Sequence, residues 1–326
     1  MKMYITNGPY RNFEKAVNDI ISLKHSNPER PIIALYSQIW ETVGNSDGKG
    51  YIDYHVNRAV NEGIIWVNAV GNYGKSAYTD KVEIIDEKGS LKLPLYTKYL
   101  PFKVVGPIVP VKIVLGWNDF LSDYYNYRAS QDLDLILYDS NGDEMGRANL
   151  VQDGRDHGGE EGYSRFAREI ISATLKEGTY YLGIVAKSNN FDSESRFWVT
   201  IGGGDGIKMD YTNGDKIVFM PASNANVLAV GGYDIEYGNS GDSELSGSAK
   251  PDILTASIVE FSNGPMVQGT STSAAVAAGA LALYLHDRTS ADMYQVFGDI
   301  ARGRLSQKSY DPSGAPILVL PPYSSK

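Results

Sequence analysis

The sequence predicts an α/β fold: a parallel-sheet domain interrupted by an antiparallel β-sandwich. Three observations carry this expectation. From Met1 to about Ala77, helical segments alternate with continuous apolar ones, the pattern of a parallel sheet buried on both faces. From about Tyr78 to Ile207, helical periodicity stops and short strands follow one another, separated by turn residues. From about Lys208, helices and buried strands alternate again. The expected organisation is therefore a first core segment at 1–77, an inserted sandwich at 78–207 and a second core segment at 208–326. Such insertions succeed at exposed loops whose ends lie close together.

Each element has its own signal. Phe13, Val17, Ile20, Ile21 and Leu23 recur at helical spacing, and Asn12 stands where a cap is expected. Pro31–Tyr36 reads as a buried strand with proline tolerated at its start. The run 43–50 is rich in turn residues, Ile52–Asn61 reads as a helix, and Ile64–Val70 as a second buried strand. In the middle zone, strands are expected at Val111–Trp117, Leu133–Tyr138, Glu169–Leu175, Thr179–Val185 and Ser195–Ile201. Asp139-Ser140-Asn141-Gly142 closes the second of these as a turn, and the triplet Gly202–Gly204 reads as an exit linker. Val227–Gly231 follows as a buried strand. Ser271–Leu285 reads as a helix of small apolar residues, and Ser290–Arg302 as an amphipathic helix capped by Ser290.

Composition excludes several function classes. At ~150 residues per domain, 326 residues make about two domains. With 39 acidic and 30 basic side chains the net charge is −9, which argues against a general nucleic-acid binder. The absence of cysteine removes thiolate metal sites, disulfides and cysteine nucleophiles. The longest apolar run, Ala274–Leu285, stops at His286-Asp287-Arg288, too early for a membrane span. Met1–Thr6 has no apolar h-region, so no signal peptide is expected in the chain as given.

Two segments carry chemistry. In Gln268-Gly269-Thr270-Ser271-Thr272-Ser273-Ala274-Ala275, a serine follows a Gly-Thr turn and opens a helix. There a hydroxyl lies among unpaired backbone N–H groups and near the positive end of the helix dipole, which suits a nucleophile that generates an oxyanion. Taken alone, the segment reads equally as an N-cap on a core helix. In Ile64-Ile65-Trp66-Val67-Asn68-Ala69-Val70-Gly71-Asn72, a buried strand runs into a Gly-Asn turn at its carboxyl end, where an Asn amide can donate to an oxyanion. Taken alone, that is simply a turn in which Asn tolerates left-handed geometry.

Together the two segments resemble the subtilisin-like serine peptidases, the subtilases. The first is similar to that family's Gly-Thr-Ser-Met-Ala nucleophile motif, the second to its Ala-Gly-Asn oxyanion motif. Ala225–Gly232 resembles the family strand between them, and Lys250-Pro251-Asp252-Ile253-Leu254 its Lys-Pro-Asp segment. The resemblance covers roughly residues 10–75 and 210–303. It implies that Ser271 is the nucleophile, that Asn72 and the Ser271 N–H form the oxyanion hole, and that Ser37 and Gly71 bind substrate. Peptide or protein would be the substrate, no cofactor would be required, and the setting would be extracellular.

The departures are as informative. The family's Asp-(Ser/Thr)-Gly and His-Gly-Thr motifs are missing, and none of His25, His55, His157 and His286 precedes Gly-Thr. The chain reads as a subtilase without its first third. Ser37-Gln38-Ile39-Trp40 also lacks the glycine that lets a substrate backbone approach the family's binding strand.

The middle zone resembles the jelly-roll modules attached to secreted peptidases, through Asp132-Leu133-Asp134-Leu135-Ile136-Leu137-Tyr138-Asp139 and Gly178-Thr179-Tyr180-Tyr181. Asp132, Asp134 and Asp139 are candidate Ca²⁺ ligands, or solvent-facing side chains of a half-buried strand. Trp117, Tyr124, Tyr125 and Tyr127 are either a binding face or packing. The expected function is a serine endopeptidase whose His and Asp come from a missing N-terminal segment or a second polypeptide. The alternative is a degenerate subtilase acting as a scaffold through its sandwich. A truncated sheet would expose an edge open to a partner or to self-association. Neither nucleic acid nor membrane is an expected partner.

Overall fold

The structure is a computed structural model. It describes residues 12–120, 128–235, 238, 241–242, 249–262, 264–286, 288, 291–308 and 314–319. The chain divides into two compact units. One takes the residues up to Trp40, then Ser46–Asn72, then those from Asp215 onward; the other takes Glu41–Asn45 and Tyr73–Gly214.

The first unit is built on one six-stranded sheet, with two further two-stranded sheets, 241–242 with 249–250 and 258–260 with 266–268, among the described residues. The strands of the six-stranded sheet are β1 (Ile32–Tyr36), β2 (Ile64–Ala69), β3 (Leu228–Gly232), β4 (Ile253–Thr255), β5 (Ser306–Gln307) and β6 (Ile317–Leu318). They lie in the order β1-β2-β3-β4-β6-β5, so β1 is an edge strand among the described residues. All pairings are parallel except β6 with β5. Every residue of β2 is buried, which explains its unbroken apolar run: alternate side chains face opposite sides, and both sides are covered.

Four α-helices complete the unit among the described residues: α1 (Phe13–His25), α2 (Tyr51–Asn61), α3 (Thr270–Tyr284) and α4 (Met293–Ala301). Phe13, the first residue of α1, packs edge-on against Tyr36 at 5.5 Å and lies 6.1 Å from Trp66, joining helix to sheet through an aromatic core. Asn12 makes no capping hydrogen bond to α1, contrary to expectation. The cap of α4 is Asp292, which accepts from Gln295 N–H at 2.9 Å; Ser290 lies outside the described residues. α3 packs on β1, β2, β3 and β4. Its buried residues include Ser273, Ala274 and Ala277, whose small side chains let helix and sheet backbones approach.

A buried ion pair ties β3 to β4. Lys250 Nζ reaches the Val227 carbonyl at 2.9 Å and Asp252 Oδ2 at 2.8 Å, and that same oxygen accepts from Ala229 N–H at 2.7 Å. This is the structural reason for Lys-Pro-Asp at this point. Glycine is required at 232, where a Cβ would come within 2.5 Å of Ser257.

The second unit is an antiparallel sandwich. One sheet orders strands 77–81, 196–202, 109–117 and 168–175; the other orders 207–209, 100–104, 178–186, 133–138 and 144–148. Leu133, Leu135 and Leu137 enter the core between them, together with Phe102, Ile113, Trp117, Leu182 and Phe197. Trp117 is fully buried and donates its indole N–H to the Gln131 carbonyl at 3.0 Å, so it belongs to the packing; Tyr124, Tyr125 and Tyr127 lie outside the described residues. The glycine triplet does not end the unit. Ile207–Met209 pairs back onto strand 100–104 before the chain leaves. Sequence reading passed over strands 77–81, 100–104 and 144–148, which are short and carry charged or proline residues at several positions.

Candidate active site

The site forms at the carboxyl ends of β1 and β2, where α3 begins. β2 ends at Ala69, and the chain turns through Gly71, whose φ of +105° favours glycine. Asn72 follows, exposed. Its Oδ1 accepts from the N–H and the hydroxyl of Thr270, each at 3.0 Å. Because the backbone N–H can only donate, the amide oxygen must face Thr270, and Nδ2 is left as a donor directed away from it. Thr270 Oγ1 in turn accepts from Gly71 N–H at 3.1 Å. Thr270 is buried, so the hydroxyl ties the two motifs together from beneath. Gly71 is buried as well, and its N–H is committed to Thr270.

The helix start supplies the second donor. Gly269 has φ +125°, and a Cβ on it would lie 3.2 Å from Asn72 Nδ2. Thr270 N–H is used by Asn72, and the N–H groups of Thr272 and Ser273 return to the Gly269 carbonyl at 2.9 and 3.2 Å. The Ser271 N–H has no protein acceptor among the described residues. It stands at the positive end of a fifteen-residue helix, beside the Ser271 hydroxyl.

Ser271 is exposed, and its Oγ donates to the Ser37 carbonyl at 3.1 Å. Ser37 leaves the end of β1. Asn68, fully buried on β2, holds that chain end through Nδ2 to the Gln38 carbonyl at 3.1 Å, while its Oδ1 accepts from Trp66 Nε1. Asp234 accepts from the N–H and hydroxyl of Ser257, and the Ser257 carbonyl accepts from Gly269 N–H at 3.0 Å. Thr270, Asn68 and Asp234 were not picked out from the sequence as parts of the site. Thr270 was visible within its motif; the other two carry no local signal.

The histidines of this unit are engaged elsewhere. His25 pairs with Glu62 at 2.8 Å, and Glu62 leads into the amino end of β2, the opposite edge of the sheet. His55, within α2, packs edge-on against Tyr51 and Tyr54 at 4.7 and 5.1 Å, with Arg58 at 3.0 Å from Nδ1; burial pushes its pKa down. His286 follows the far end of α3, about 22 Å along the axis from Ser271 at ~1.5 Å per residue. In the sandwich, His157 pairs with Asp153 at 2.9 Å and stacks on Tyr163.

The candidate Ca²⁺ ligands do not form one set. Asp139 accepts from Asn141 and Asp143 N–H groups within its own turn, and strand geometry separates it from Asp132 by about 23 Å. Asp134 meets Arg147 at 3.4 Å. Among the described residues, no three acidic or histidine side chains gather closely enough to hold a metal.

A strand-end turn carrying Asn72 thus faces a serine at a helix N-terminus on a parallel sheet. The family model of the subtilases, peptidase S8, matches residues 136–298, half of the chain. The chain belongs to the subtilase family. Among solved structures it is similar to the CspB protease of Clostridium perfringens, with a TM-score of 0.57 at 12% identity over 94% of this chain and 67% of that one. A pre-peptidase C-terminal domain of a Bacillus anthracis collagenase also aligns, with a TM-score of 0.23 at 12% identity over 41% of this chain and 93% of that one. No curated protein matches. Among the described residues no helix is long and apolar enough to cross a membrane.

Proposed function

We propose that this chain supplies the nucleophile and the oxyanion hole of an extracellular subtilisin-like serine endopeptidase, and that its general base and the partnering carboxylate come from a polypeptide segment outside it. The observation that carries this reading is the Asn72–Thr270 lock. It holds the Asn72 amide so that Nδ2 and the Ser271 N–H remain as two donors beside one hydroxyl. Ser271 Oγ attacks the peptide carbonyl, the two donors stabilise the resulting oxyanion, and a histidine from the added segment takes the hydroxyl proton.

Edge strand β1 is where the added segment would pair. Leu35 on it is 45% exposed, and its outer backbone groups lack a strand among the described residues. Without a base, a residual rate of ~10³–10⁴ over water is below what a protease assay reads. The chain alone is therefore expected to leave casein intact. Adding a segment that bears both the Asp-(Ser/Thr)-Gly and the His-Gly-Thr motif is expected to restore hydrolysis, and Ser271→Ala to abolish it. Casein hydrolysis by the lone chain that Ser271→Ala removes, or failure of every such segment to restore activity, overturns the reading.

A further inference from the structure

The outer face of the five-stranded sheet of the sandwich carries a cleft that peptide hydrolysis does not use. Leu133, Leu135, Leu137, Leu182 and Ile184 point into the core, so their neighbours along the same strands, among them Ile136, Tyr138, Gly183 and Val185, point outward. Pairing brings Arg147, Ile136 and Gly183 into one row across three adjacent strands. Residues 89–91 extend the sheet on the far side: Leu91 N–H donates to the Ile184 carbonyl at 2.9 Å, and Ala186 N–H to the Gly89 carbonyl at 2.8 Å. Over this row lies a cavity of about 370 Å³.

Gly183 makes the hollow. A Cβ on it would lie 3.0 Å from Tyr138 Cε2, tight enough to push the ring away. Tyr99 packs edge-on against Tyr138 at 5.5 Å and lies 6.1 Å from Tyr181, which fixes an aromatic wall. Ile136 is 3% exposed although it faces outward, and with Val185 it forms an apolar floor. The rim is cationic. Lys88, Lys98, Arg147 and Lys187 all line the cavity, and no carboxylate does. Arg147 is held in place by Glu144, at 3.1 and 2.7 Å, and by Asp134 at 3.4 Å. Lys98 has Asp86 at 4.0 Å. Lys88 and Lys187 make no ion pair among the described residues, and Lys187 acts on Asp132 and Asp134 only through its field. In a chain of net charge −9, four cations around one cavity are a local reversal of sign.

We propose that this cleft binds an extended acidic peptide, lying crosswise to the strands, whose carboxylates four residues apart flank one apolar side chain. The strand bearing Arg147 and the segment 89–91 stand three strand spacings apart, about 14 Å. In an extended chain, residues i, i+2 and i+4 share a face, and i and i+4 are about 13 Å apart. Two acidic side chains thus meet Arg147 at one rim and Lys88 or Lys98 at the other, while the residue between them rests on Ile136 and Val185 against the tyrosines. A carboxylate only accepts hydrogen bonds, and ammonium and guanidinium groups only donate them. A sugar chain is the poorer match, since its hydroxyls also donate and no carboxylate or carboxamide lines the cavity to accept. The cleft belongs wholly to the second unit, so the proposal does not depend on hydrolysis at Ser271.

The test is fluorescence anisotropy of the fluorescein-labelled peptide Glu-Ser-Leu-Ser-Glu against the full chain, which carries Ser271→Ala so that the probe stays intact. Saturable binding is expected, weakening by about tenfold from low to physiological salt. The peptide Gln-Ser-Leu-Ser-Gln is expected not to bind, and Ser in place of the central Leu to weaken binding by about tenfold. Lys88→Glu combined with Lys187→Glu is expected to abolish binding; both side chains are exposed, so the fold is kept. Lys176→Glu, at an exposed lysine on the turn between strands 168–175 and 178–186, is expected to leave binding unchanged. The site is overturned by an absence of saturable binding, by binding that survives the double reversal, or by an equal loss in Lys176→Glu. A galacturonate oligomer that binds in place of the peptide overturns it as well.

Discussion

Asn72 Oδ1 accepts two hydrogen bonds from Thr270, one from its N–H and one from its hydroxyl, each at 3.0 Å. Residues 198 positions apart are thereby locked into one catalytic corner. Asn72→Ala removes the Nδ2 donor and also takes the acceptor from the Thr270 N–H, so its kinetics are read on protein that circular dichroism shows to be folded. In the complemented enzyme, kcat is expected to fall by about 10²–10³ with KM little changed; this size is the one known for the equivalent donor in subtilisin, a member of this family. Steady-state kinetics checks it. An equal loss in KM would assign Asn72 to substrate binding instead.

Thr270→Val tests the lock from the other side. It leaves Gly71 N–H buried without an acceptor and removes one of the two bonds that hold Asn72 Oδ1. Stability is expected to drop by about 1–3 kcal/mol in urea unfolding, and kcat with it. Thr270→Ser keeps the hydroxyl and is expected to recover most of both.

The Lys250–Asp252 pair predicts strong asymmetry between single and double changes. Lys250→Met strands a buried carboxylate and is expected to cost about 3–5 kcal/mol in the same measurement. Lys250→Met with Asp252→Leu is expected to recover only part of this, since Ala229 N–H then loses its acceptor.

Asp53 on α2 is fully buried, and Asn224 Nδ2 donates to its Oδ1 at 3.0 Å. Burial raises its pKa to about 7 from an ordinary 3.8. Between these values the folded state keeps a proton that the unfolded chain has released. Its contribution to stability is therefore full below about 4 and lost as pH rises to about 7. Asp53→Asn removes this dependence while keeping the acceptor. Its Tm is expected to exceed that of the wild type above pH 7, with the gap closing toward pH 4. Parallel Tm–pH curves for the two proteins would show that Asp53 ionises normally.

By itself the sequence determined the elements whose composition matches their burial. The unbroken Ile64–Ala69, the period-two Leu133–Leu135–Leu137 and the small-residue helix from Thr270 each carry their environment in their composition. It also put Ser271 and Asn72 within recognisable motifs, because a helix start and a strand-end turn each demand particular residues locally. Only the tertiary structure decided what depends on neighbours distant in sequence: that Thr270 fixes the Asn72 amide, that Asn68 and Asp234 brace the turns, and that Asp292 caps α4. Asp132, Asp134 and Asp139 look alike in sequence, yet the fold gives one an orphaned oxygen, the second an arginine and the third a turn to cap. Local propensity says which groups a side chain is able to bond. Which ones it meets is fixed by packing, through contacts that no window of sequence contains.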